Sequence, residues 1–533
     1  MPKAPDAPLL DKRALEALLK ARFGSGFARL SDIPDPAGLA DAEKAAARIA
    51  GAIRNNERIG LVGDYDVDGV TATALTTLFF RQIPYPLEVV IPNRFTDGYG
   101  VSESVLARLD ADVVFTVDNG INAFAAATYC KQRGIDLIIT DHHTPSDTLP
   151  DAYAVVDPKR ADDRYPFPDI CGAQVAWMLM ALIKKALGLS VDMGQFLELL
   201  ALAIIADVMP LVGINRAIVQ AGLAQMERSV RPMSVIVREA LGKTKLGAED
   251  IGFQIAPRIN AAGRLEDASV ALGFLTAEDE QSAFRQFDLL TQLNTLRKAI
   301  EAEAADEAVA LVCPEDHVIV VAREGWHEGV VGIVAARLVQ RYERPAIVLS
   351  VEDGVAKGSA RSLGNVGIYD LIASQAALLQ KFGGHKMAAG LSLDAADIDA
   401  FRAGINAAAA AIDPDDFLPA EAIVGQLETG SVDFELLDIL ERFEPYGEGN
   451  PRPRFLAKEA EVVGIRYLGS EGDHSKVSLR LYRHERETFD LMAFRRRLQR
   501  PANGKLTCSY TIARNEFNGR VSIQMMLERL YSK

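Results

Sequence analysis

Between Arg58 and Val156 the chain repeats a single pattern, a short apolar run followed by a helical segment. The runs are Arg58–Gly63 (RIGLVG), Leu87–Ile91, Asp112–Val117 (DVVFTV), Asp136–Thr140 (DLIIT) and Ala154–Val156. Val70–Arg81 and Ala123–Arg133 read as helices among them. Runs so short and so uniformly apolar suit strands covered on both faces, and the alternating helices supply that cover. The pattern predicts an α/β fold built on a mostly parallel sheet. It also predicts where a site would lie, because ligands of open parallel sheets bind beyond the carboxyl ends of the strands.

Polar clusters sit at those ends. Gly63-Asp64-Tyr65-Asp66-Val67-Asp68-Gly69 follows the first run. If the extended geometry persists, alternation turns Asp64, Asp66 and Asp68 to one side. Three uncompensated carboxylates so close raise one another's pKa, and divalent cations remove that penalty. Taken alone, the triplet fits a metal site or a solvated acidic turn. An EF-hand fits poorly, because no Glu occupies the twelfth loop position. Val117-Asp118-Asn119-Gly120 ends a second run, where a lone Asp is most often a helix cap. Thr140-Asp141-His142-His143 ends a third and holds two of only seven histidines. Adjacent residues at a turn can divide the work, one ligating and one meeting substrate; a surface loop is the alternative. Asp207 closes the otherwise apolar segment Leu199–Val208, where an unpaired carboxylate is costly. It needs a partner there, or it caps the helix near Pro210. Carboxylates with one or two imidazoles suit Mn²⁺ or Mg²⁺ better than zinc. Two such ions about 3.5–4 Å apart form the clamp used in phosphoester hydrolysis.

Beyond this region helices dominate, at Ala173–Leu187, Gln195–Asp207, Arg216–Met226 and Val235–Leu241. Ala277–Leu311 contains neither Gly nor Pro and predicts a long connecting helix. A second α/β pattern starts at His317 (HVIVVA), continues through Gly329–Tyr342 and Pro345–Ser350, and ends near Ile412. Asp413–Asp416 (DPDD) reads as a linker. Ala460–Leu530 alternates like strands, with turns at Gly469–Gly472 and Asn518–Gly519, and fits a small barrel. The expected division is a helical lead-in over 1–45, a catalytic domain over 46–276, a connecting helix over 277–312, a smaller α/β domain over 313–414 and a barrel over 415–533.

Charge separates the same regions. From Glu441 to Lys533 there are 18 Lys and Arg against 12 Asp and Glu, while the preceding residues carry 40 against 61. An acidic body with a basic tail is compatible with a polyanionic ligand, which the overall charge of −15 would otherwise argue against. Cys130, Cys171, Cys313 and Cys508 form no CxxC pair, so a disulfide framework is not expected. The opening MPKAPDAPLL lacks the apolar stretch of a secretory signal, and Leu199–Ile214 is broken by Asp207 and Pro210. A cytoplasmic location with no membrane association is the expectation. Gly242-Lys243-Thr244 imitates the end of a P-loop, but Val237 stands where its first Gly belongs, so no ATP site is expected.

GDYDVDG, VDNGI, TDHH and IADVMPL, in this order, resemble the motifs of the DHH phosphoesterase superfamily. Within it the chain is similar to the RecJ family of bacterial single-strand-specific 5′→3′ exonucleases. That similarity extends through IPNRFTDGYG, FQIAPRINAAGRL, LNTLRKAIE, GWHEGVVGIVAARL, KGSARS, GGHKMAAG and PYGEGNPRPRF, from about Gly51 to the C-terminus. It implies a parallel-sheet DHH domain, a DHHA1 substrate-binding domain and a C-terminal OB-fold. It also implies exonucleolytic release of mononucleotides from single-stranded DNA, in repair and recombination, with single-strand-binding protein and a helicase as partners.

Carried onto this chain, the resemblance places Asp66 and Asp118 on one Mn²⁺ or Mg²⁺ ion. Asp68, Asp118, His142 and Asp207 fall on the other, with Asp118 bridging, His143 against the scissile phosphate, and Asp64 as ligand or support. Many superfamily members have a His at the position of Val62, so here the first ion keeps more water. Arg94, Arg258, Asn260 and Arg264 are candidate phosphate contacts, since Arg forks match phosphate oxygens; a surface salt bridge is the commoner fate of any one arginine. Ser359, Arg361, Ser362, Gly383, Gly384 and His385 stand in the substrate-binding motifs, where the glycines would let backbone N–H groups meet a phosphate. In the tail, Arg495, Arg496, Arg497 and Arg500 lie near Phe494, with Tyr482, Arg483, Arg514, Phe517 and Arg520 elsewhere on the barrel. Such interleaving suits single-strand binding, and a solvated loop with core aromatics is the plainer reading. Two other functions share parts of these motifs: small-substrate phosphodiesterases with only the two-domain core, and non-catalytic scaffolds that have lost ligands.

Overall fold

The computed structural model describes residues 3–24, 26–98, 100–418, 423–469, 471–482, 488–517 and 520–532. Its first sheet runs Glu88–Val90, Ile59–Val62, Val113–Thr116, Asp136–Thr140, Ala154–Val156 across its width, and every neighbouring pair is parallel. Alternation sorts the side chains. Leu61, Phe115, Ile138 and Val156 pack in one core with helices Ala42–Asn55, Val67–Phe80 and Gly172–Leu187. Val62, Val114, Ile139 and Val155 face Val105, Leu106, Ala126, Ala127 and Cys130 on the other side. Both faces are therefore dry, as the continuous apolar runs require.

One departure from the expected geometry concerns the acidic triplet. The extended chain stops at the strand end: Asp66 caps helix Val67–Phe80 and Asp68 lies in its first turn. The carboxylates are gathered by a strand-to-helix corner rather than by strand alternation.

Helix Glu280–Ala310 is 31 residues long, about 46 Å at 1.5 Å per residue. Its first half packs in the catalytic core through Ala283, Phe287, Leu290 and Leu293. Its second half carries the next domain: Arg337 bonds Glu301 at 2.5 Å, and the Trp326 Nε1 donates to Glu307 at 2.7 Å. That domain's sheet runs Leu379–His385, Ala388–Asp394, Val355–Arg361, Ala346–Glu352, Ile319–Glu324, parallel only in its last pair. Sequence patterning marks two of these five strands. The other three are rich in Gly, Ser, Lys and Ala, which carry little strand signal. Gly383, Gly384 and His385 thus belong to an edge strand rather than an irregular loop. DPDD is likewise ordered, entering a 3-10 turn over Pro414–Phe417.

The C-terminal barrel closes in the order Arg454–Leu468, His474–Arg480, Phe489–Ala493, Arg520–Leu530, Lys505–Phe517 and back to Arg454–Leu468. Its core has an unexpected contributor. Leu10, Leu15 and Leu19 from the N-terminus are buried there with Leu427, Leu436, Leu440 and Phe443, and Leu9–Leu10 pairs with Ile423–Leu427. Burying an apolar stripe of a ten-residue helix explains why this short segment is ordered at all.

Leu15→Ala should therefore destabilise the opposite end of the chain, by about 2–5 kcal/mol. Hydrogen exchange should quicken in strands Arg454–Leu468 and Lys505–Phe517 while Ile59–Val62 and Val113–Thr116 keep their protection. Loosening confined to the parallel sheet would contradict this packing.

Candidate active site

The site lies beyond the carboxyl ends of the parallel strands, whose positions are fixed by side chains spanning them. Asn119 Nδ2 donates to the Val62 and Val117 carbonyls at 3.3 and 2.9 Å, and its Oδ1 accepts from Val101 N at 3.1 Å. Thr140 Oγ1 donates to the Thr116 carbonyl at 2.7 Å. Asp118, on this braced turn, sits at φ +62°, a left-handed conformation that Asp tolerates better than most residues.

His142 Nε2 is 3.1 Å from Asp118 Oδ1, 3.6 Å from Asp68 Oδ2 and 3.6 Å from Asp207 Oδ2. Potential ligand atoms of Asp68, His142 and Asp207 fall within 4.8 Å of one another, as do those of Asp64, Asp66 and Asp118, and those of Asp118, His142 and His143. Asp118 thus shares in two of the three groups. Asp68 is gripped by a helix N-terminus: Gly172 N and Ala173 N donate to its two oxygens at 2.6 and 2.9 Å, and the Cys171 thiol bonds it as well. Gly172 has to be glycine, since an ideal Cβ there would lie 2.4 Å from Asp118 Oδ1. The fixed amides favour a carboxylate at this position.

Burial still leaves the Asp68 pKa raised, and its neighbours are raised as well. Burial, and then Asp66, push the Asp64 pKa well above the usual range. Burial, then Asp68, do the same to Asp118, and bring Asp207 to about 8. Burial lowers His142 to about 4, favouring the neutral imidazole that ligates metals. Asp64 Oδ1, Asp118 Oδ1, Asp207 Oδ2 and His142 Nδ1 are buried without a hydrogen-bond partner. Orphaned acceptors facing one another are the signature of a cation site, and an oxygen-rich set with one or two imidazoles fits Mn²⁺ or Mg²⁺.

His143 differs from its neighbour. Its Nδ1 bonds Asp141 Oδ1 at 2.7 Å. Burial pulls its pKa down, but the Asp141 bond together with the charges of Asp141, Asp207 and Asp66 raises it to about 9. Asp141 is itself held by the Ile121, His142 and His143 amides at 2.9, 2.8 and 3.2 Å. Sequence reading passes over Asp141, although its place before two histidines is a usable signal. It also passes over Cys171, for which the sequence carries no signal. Asp157, beyond the fifth strand, escapes it because that run is marked only as far as Val156. Burial raises Asp157 to about 7, and its Oδ2 is unpartnered.

Three arginines group beside the acidic corner, Arg264 close enough to be attracted by Asp66. Arg94 lies over the Tyr65 ring at 4.9 Å. Burial, then Arg94, depress both Arg264, to about 10, and Arg361. Arg264 Nη1 donates to the Gly329 carbonyl at 3.2 Å, at the start of helix Glu328–Tyr342. Arg361 and Ser359 line the same helix, 3.0 and 3.2 Å from an ideal Cβ at Gly332. Other candidates have structural partners. Asn260 Oδ1 accepts from Val67 N at 3.2 Å, bracing the acidic corner. Arg258 bonds the Gln254 carbonyl and lies 5.6 Å from the Phe287 ring. Ser362 Oγ donates to the Val366 carbonyl at 2.6 Å. His385 is exposed on the edge strand.

On the barrel, Arg495, Arg496 and Arg497 are exposed. Arg497 lies 4.8 Å over Tyr467, Arg495 N donates to His474 Nδ1 at 3.0 Å, and Phe494 meets His474 edge-on at 5.3 Å. Arg514 is not part of that surface, because Glu441 and Asp438 hold it at 2.7 and 3.0 Å. Tyr482 donates to the Leu427 carbonyl. Arg483 and the turn Asn518–Gly519 lie outside the described residues, as do the side chains of Phe517 and Arg520.

Comparison with known families places this arrangement. Residues 58–204 match the DHH family N-terminal domain, 315–411 the DHHA1 domain and 423–529 the RecJ OB domain. The class is that of the DHH phosphoesterase fold. The single-stranded-DNA-specific exonuclease RecJ of Bacillus subtilis is 34% identical over 98% of this chain and 67% of its own length. That of Dickeya dadantii is 34% identical over 90% of this chain and 88% of its own. The structure of RecJ in complex with Mn²⁺ from Thermus thermophilus superposes with a TM-score of 0.81 at 32% identity, covering 93% of this chain and 72% of that one. The corresponding Mg²⁺ complex gives 0.76 at 30% identity, over 93% and 70%. The chain belongs to the RecJ family of single-stranded-DNA-specific exonucleases, and its acidic cluster is able to hold a metal ion of the kind those complexes contain. No helix among the described residues is long and apolar enough to cross a membrane.

Asp118→Asn keeps the left-handed turn and removes one buried charge. Without metal, the variant should unfold at a higher temperature than the parent, by about 1–3 kcal/mol of relieved strain. The stabilisation that Mn²⁺ gives the parent should vanish. Calorimetry with Mn²⁺ and with EDTA measures both.

Proposed function

We propose that this chain hydrolyses single-stranded DNA from its 5′ end and frees mononucleotides, using two divalent ions, in DNA repair and recombination. The observation that carries this reading is the opposition of two uncompensated charge clusters. Buried acids with orphaned oxygens form one, and Arg94 with the desolvated Arg264 and Arg361 forms the other. A phosphate between bound cations and arginines satisfies both.

Asp66, Asp118 and Asp64 would hold one ion, and Asp68, Asp118, His142 and Asp207 the other. Such ions lower the pKa of water and neutralise charge on the phosphoryl oxygens. The protein's own part is positional. The helix N-terminus at Gly172 aims Asp68 and offsets part of the burial that raises its pKa. Asp141 fixes the His143 ring through Nδ1, so that a protonated Nε2 serves as donor to a phosphoryl oxygen. Arg94, Arg361 and Ser359 would take the terminal 5′ phosphate, which confines cleavage to the end of the strand. The exposed arginines and Tyr467 on the barrel would hold the strand further along. Single-strand-binding protein and a helicase are the partners this reading proposes.

End-labelled single-stranded DNA tests polarity. The expected result with Mn²⁺ is immediate release of a 5′-labelled mononucleotide, abolished by EDTA and by Asp66→Ala or His142→Ala. Prior release of the 3′ label would overturn the direction. Intact long DNA with hydrolysed dinucleotides would favour a small-substrate enzyme. Converting Arg495, Arg496 and Arg497 to Ala should weaken binding of long strands and lower the log–log salt slope by about 2, with little effect on short oligonucleotides. Equal weakening at both lengths would remove the barrel from the binding path.

A further inference from the structure

The loop that carries Asp207 is held from outside its own domain. Helix Leu197–Ala206 ends at Asp207, and Val208 follows at φ +56° with 63% of its surface exposed. A β-branched residue in that conformation is strained and persists only where its surroundings impose it. Part of the restraint is the helix's own C-cap, where Val208 N and Met209 N donate to the Ile205 and Ile204 carbonyls at 3.3 and 3.0 Å; the other part comes three residues later. Leu211 N donates to the Glu448 carbonyl at 2.7 Å, across the boundary with the C-terminal domain.

The turn making this contact is rigid and shaped to the loop. Gly447 and Asn450 exchange backbone bonds at 3.0 and 3.2 Å. Asn450 is fully buried; its Nδ2 donates to the Phe443 and Pro445 carbonyls at 2.8 and 2.9 Å, and its Oδ1 accepts from Arg22 Nη1 at 3.1 Å. A Cβ on Gly447 would stand 2.7 Å from Leu211 Cδ1, and one on Gly449, at φ +68°, would stand 3.1 Å from Pro210 Cβ. The turn and loop are thus in backbone-close contact, which explains the glycines of PYGEGNP in packing terms.

A second line leads from the same loop to Asp68. The Pro210 carbonyl accepts from Asn215 Nδ2 at 3.1 Å, and Asn215 Oδ1 accepts from Gln174 Nε2 at 2.9 Å. Gln174 Oε1 accepts from Cys171 N at 3.0 Å, directly before the amides that grip Asp68.

We infer that the Gly447–Asn450 turn of the C-terminal domain is a positioning element for the metal centre, setting Asp207 through the Pro210–Leu211 loop and Asp68 through Asn215 and Gln174. The inference rests on the ligand roles proposed above for Asp207 and Asp68. Metal affinity then depends on a domain that contributes no ligand. Residues that orient metal ligands typically change affinity by about 10–100-fold when removed.

Mn²⁺ titration calorimetry on the full chain, with far-UV circular dichroism as a folding control, tests this. Asn450→Ala and Gly447→Ala should each weaken Mn²⁺ binding by about tenfold or more, and excess Mn²⁺ should restore nuclease activity. Glu249→Ala breaks the 2.9 Å pair with Arg452 on the same domain boundary while Arg452 keeps its place over the Tyr446 ring, and should leave affinity unchanged. Asp207→Ala separates the two levels of argument. If it binds Mn²⁺ as the parent does, the ligand assignment fails. If it loses Mn²⁺ while Asn450→Ala and Gly447→Ala retain parental affinity, the positioning role alone is overturned. Should Asn450→Ala not fold, Gly447→Ala decides, because its added methyl would stand 2.7 Å from Leu211 Cδ1 and 3.3 Å from its Cγ, so that the loop rather than the turn's own backbone must shift. Equal weakening by Glu249→Ala would also overturn the inference, since any loosening of the boundary would then suffice.

Discussion

Like-charge crowding governs this molecule. Asp64, Asp68, Asp118 and Asp207 converge on a small volume, the first three almost wholly shielded from water. Among the described residues none is ion-paired with Lys or Arg. An uncompensated buried carboxylate costs several kcal/mol even after relaxation, so the centre can exist only on a scaffold that resists its repulsion. The parallel sheet is that scaffold. Its strand ends are tied laterally by Asn119 and by the Thr116–Thr140 pair, and its faces are closed by helices. The N-terminus of helix Gly172–Leu187 offsets part of the charge at Asp68. What the protein leaves unneutralised is left for divalent cations.

The arginine side repeats the strategy with opposite sign. Arg264 and Arg361 lose hydration at the junction of the catalytic and DHHA1 domains, and Arg94 repels both. Neither cluster is at ease without a ligand of the other's charge. The long helix Glu280–Ala310 joins the two domains that carry these clusters.

The sequence displayed most of this because the chemistry is concentrated in a few strand ends. Continuous apolar runs located the five parallel strands, and the motifs that follow them located the acids and histidines. What it hid falls into two kinds. Strands Val355–Arg361, Leu379–His385 and Ala388–Asp394 are built of small and polar residues, whose pairing is decided by neighbours rather than by propensity. Cys171 and Asp141 act through contacts with other residues, and Ser362, Arg258 and Arg514 are tied into local bonds that composition does not reveal. A basic residue in a basic tail looks available in sequence whether or not an acid waits beside it.

Chain connectivity adds a constraint that no single domain shows. The N-terminal leucines are buried in the C-terminal core, and Arg22 reaches Asn450 in the turn that holds the Asp207 loop. Arg216, from the catalytic domain, meets that same region: it donates to the Arg442 and Glu444 carbonyls at 3.0 and 2.8 Å and lies 3.9 Å from the Phe27 ring. Both ends of the chain therefore converge behind one wall of the metal centre. Removing the barrel would expose Leu15 and Leu19 and release the backbone of Leu211 together. The barrel is accordingly not an appendage whose loss subtracts only DNA affinity; its removal also withdraws the support that lets buried carboxylates face one another at the strand ends.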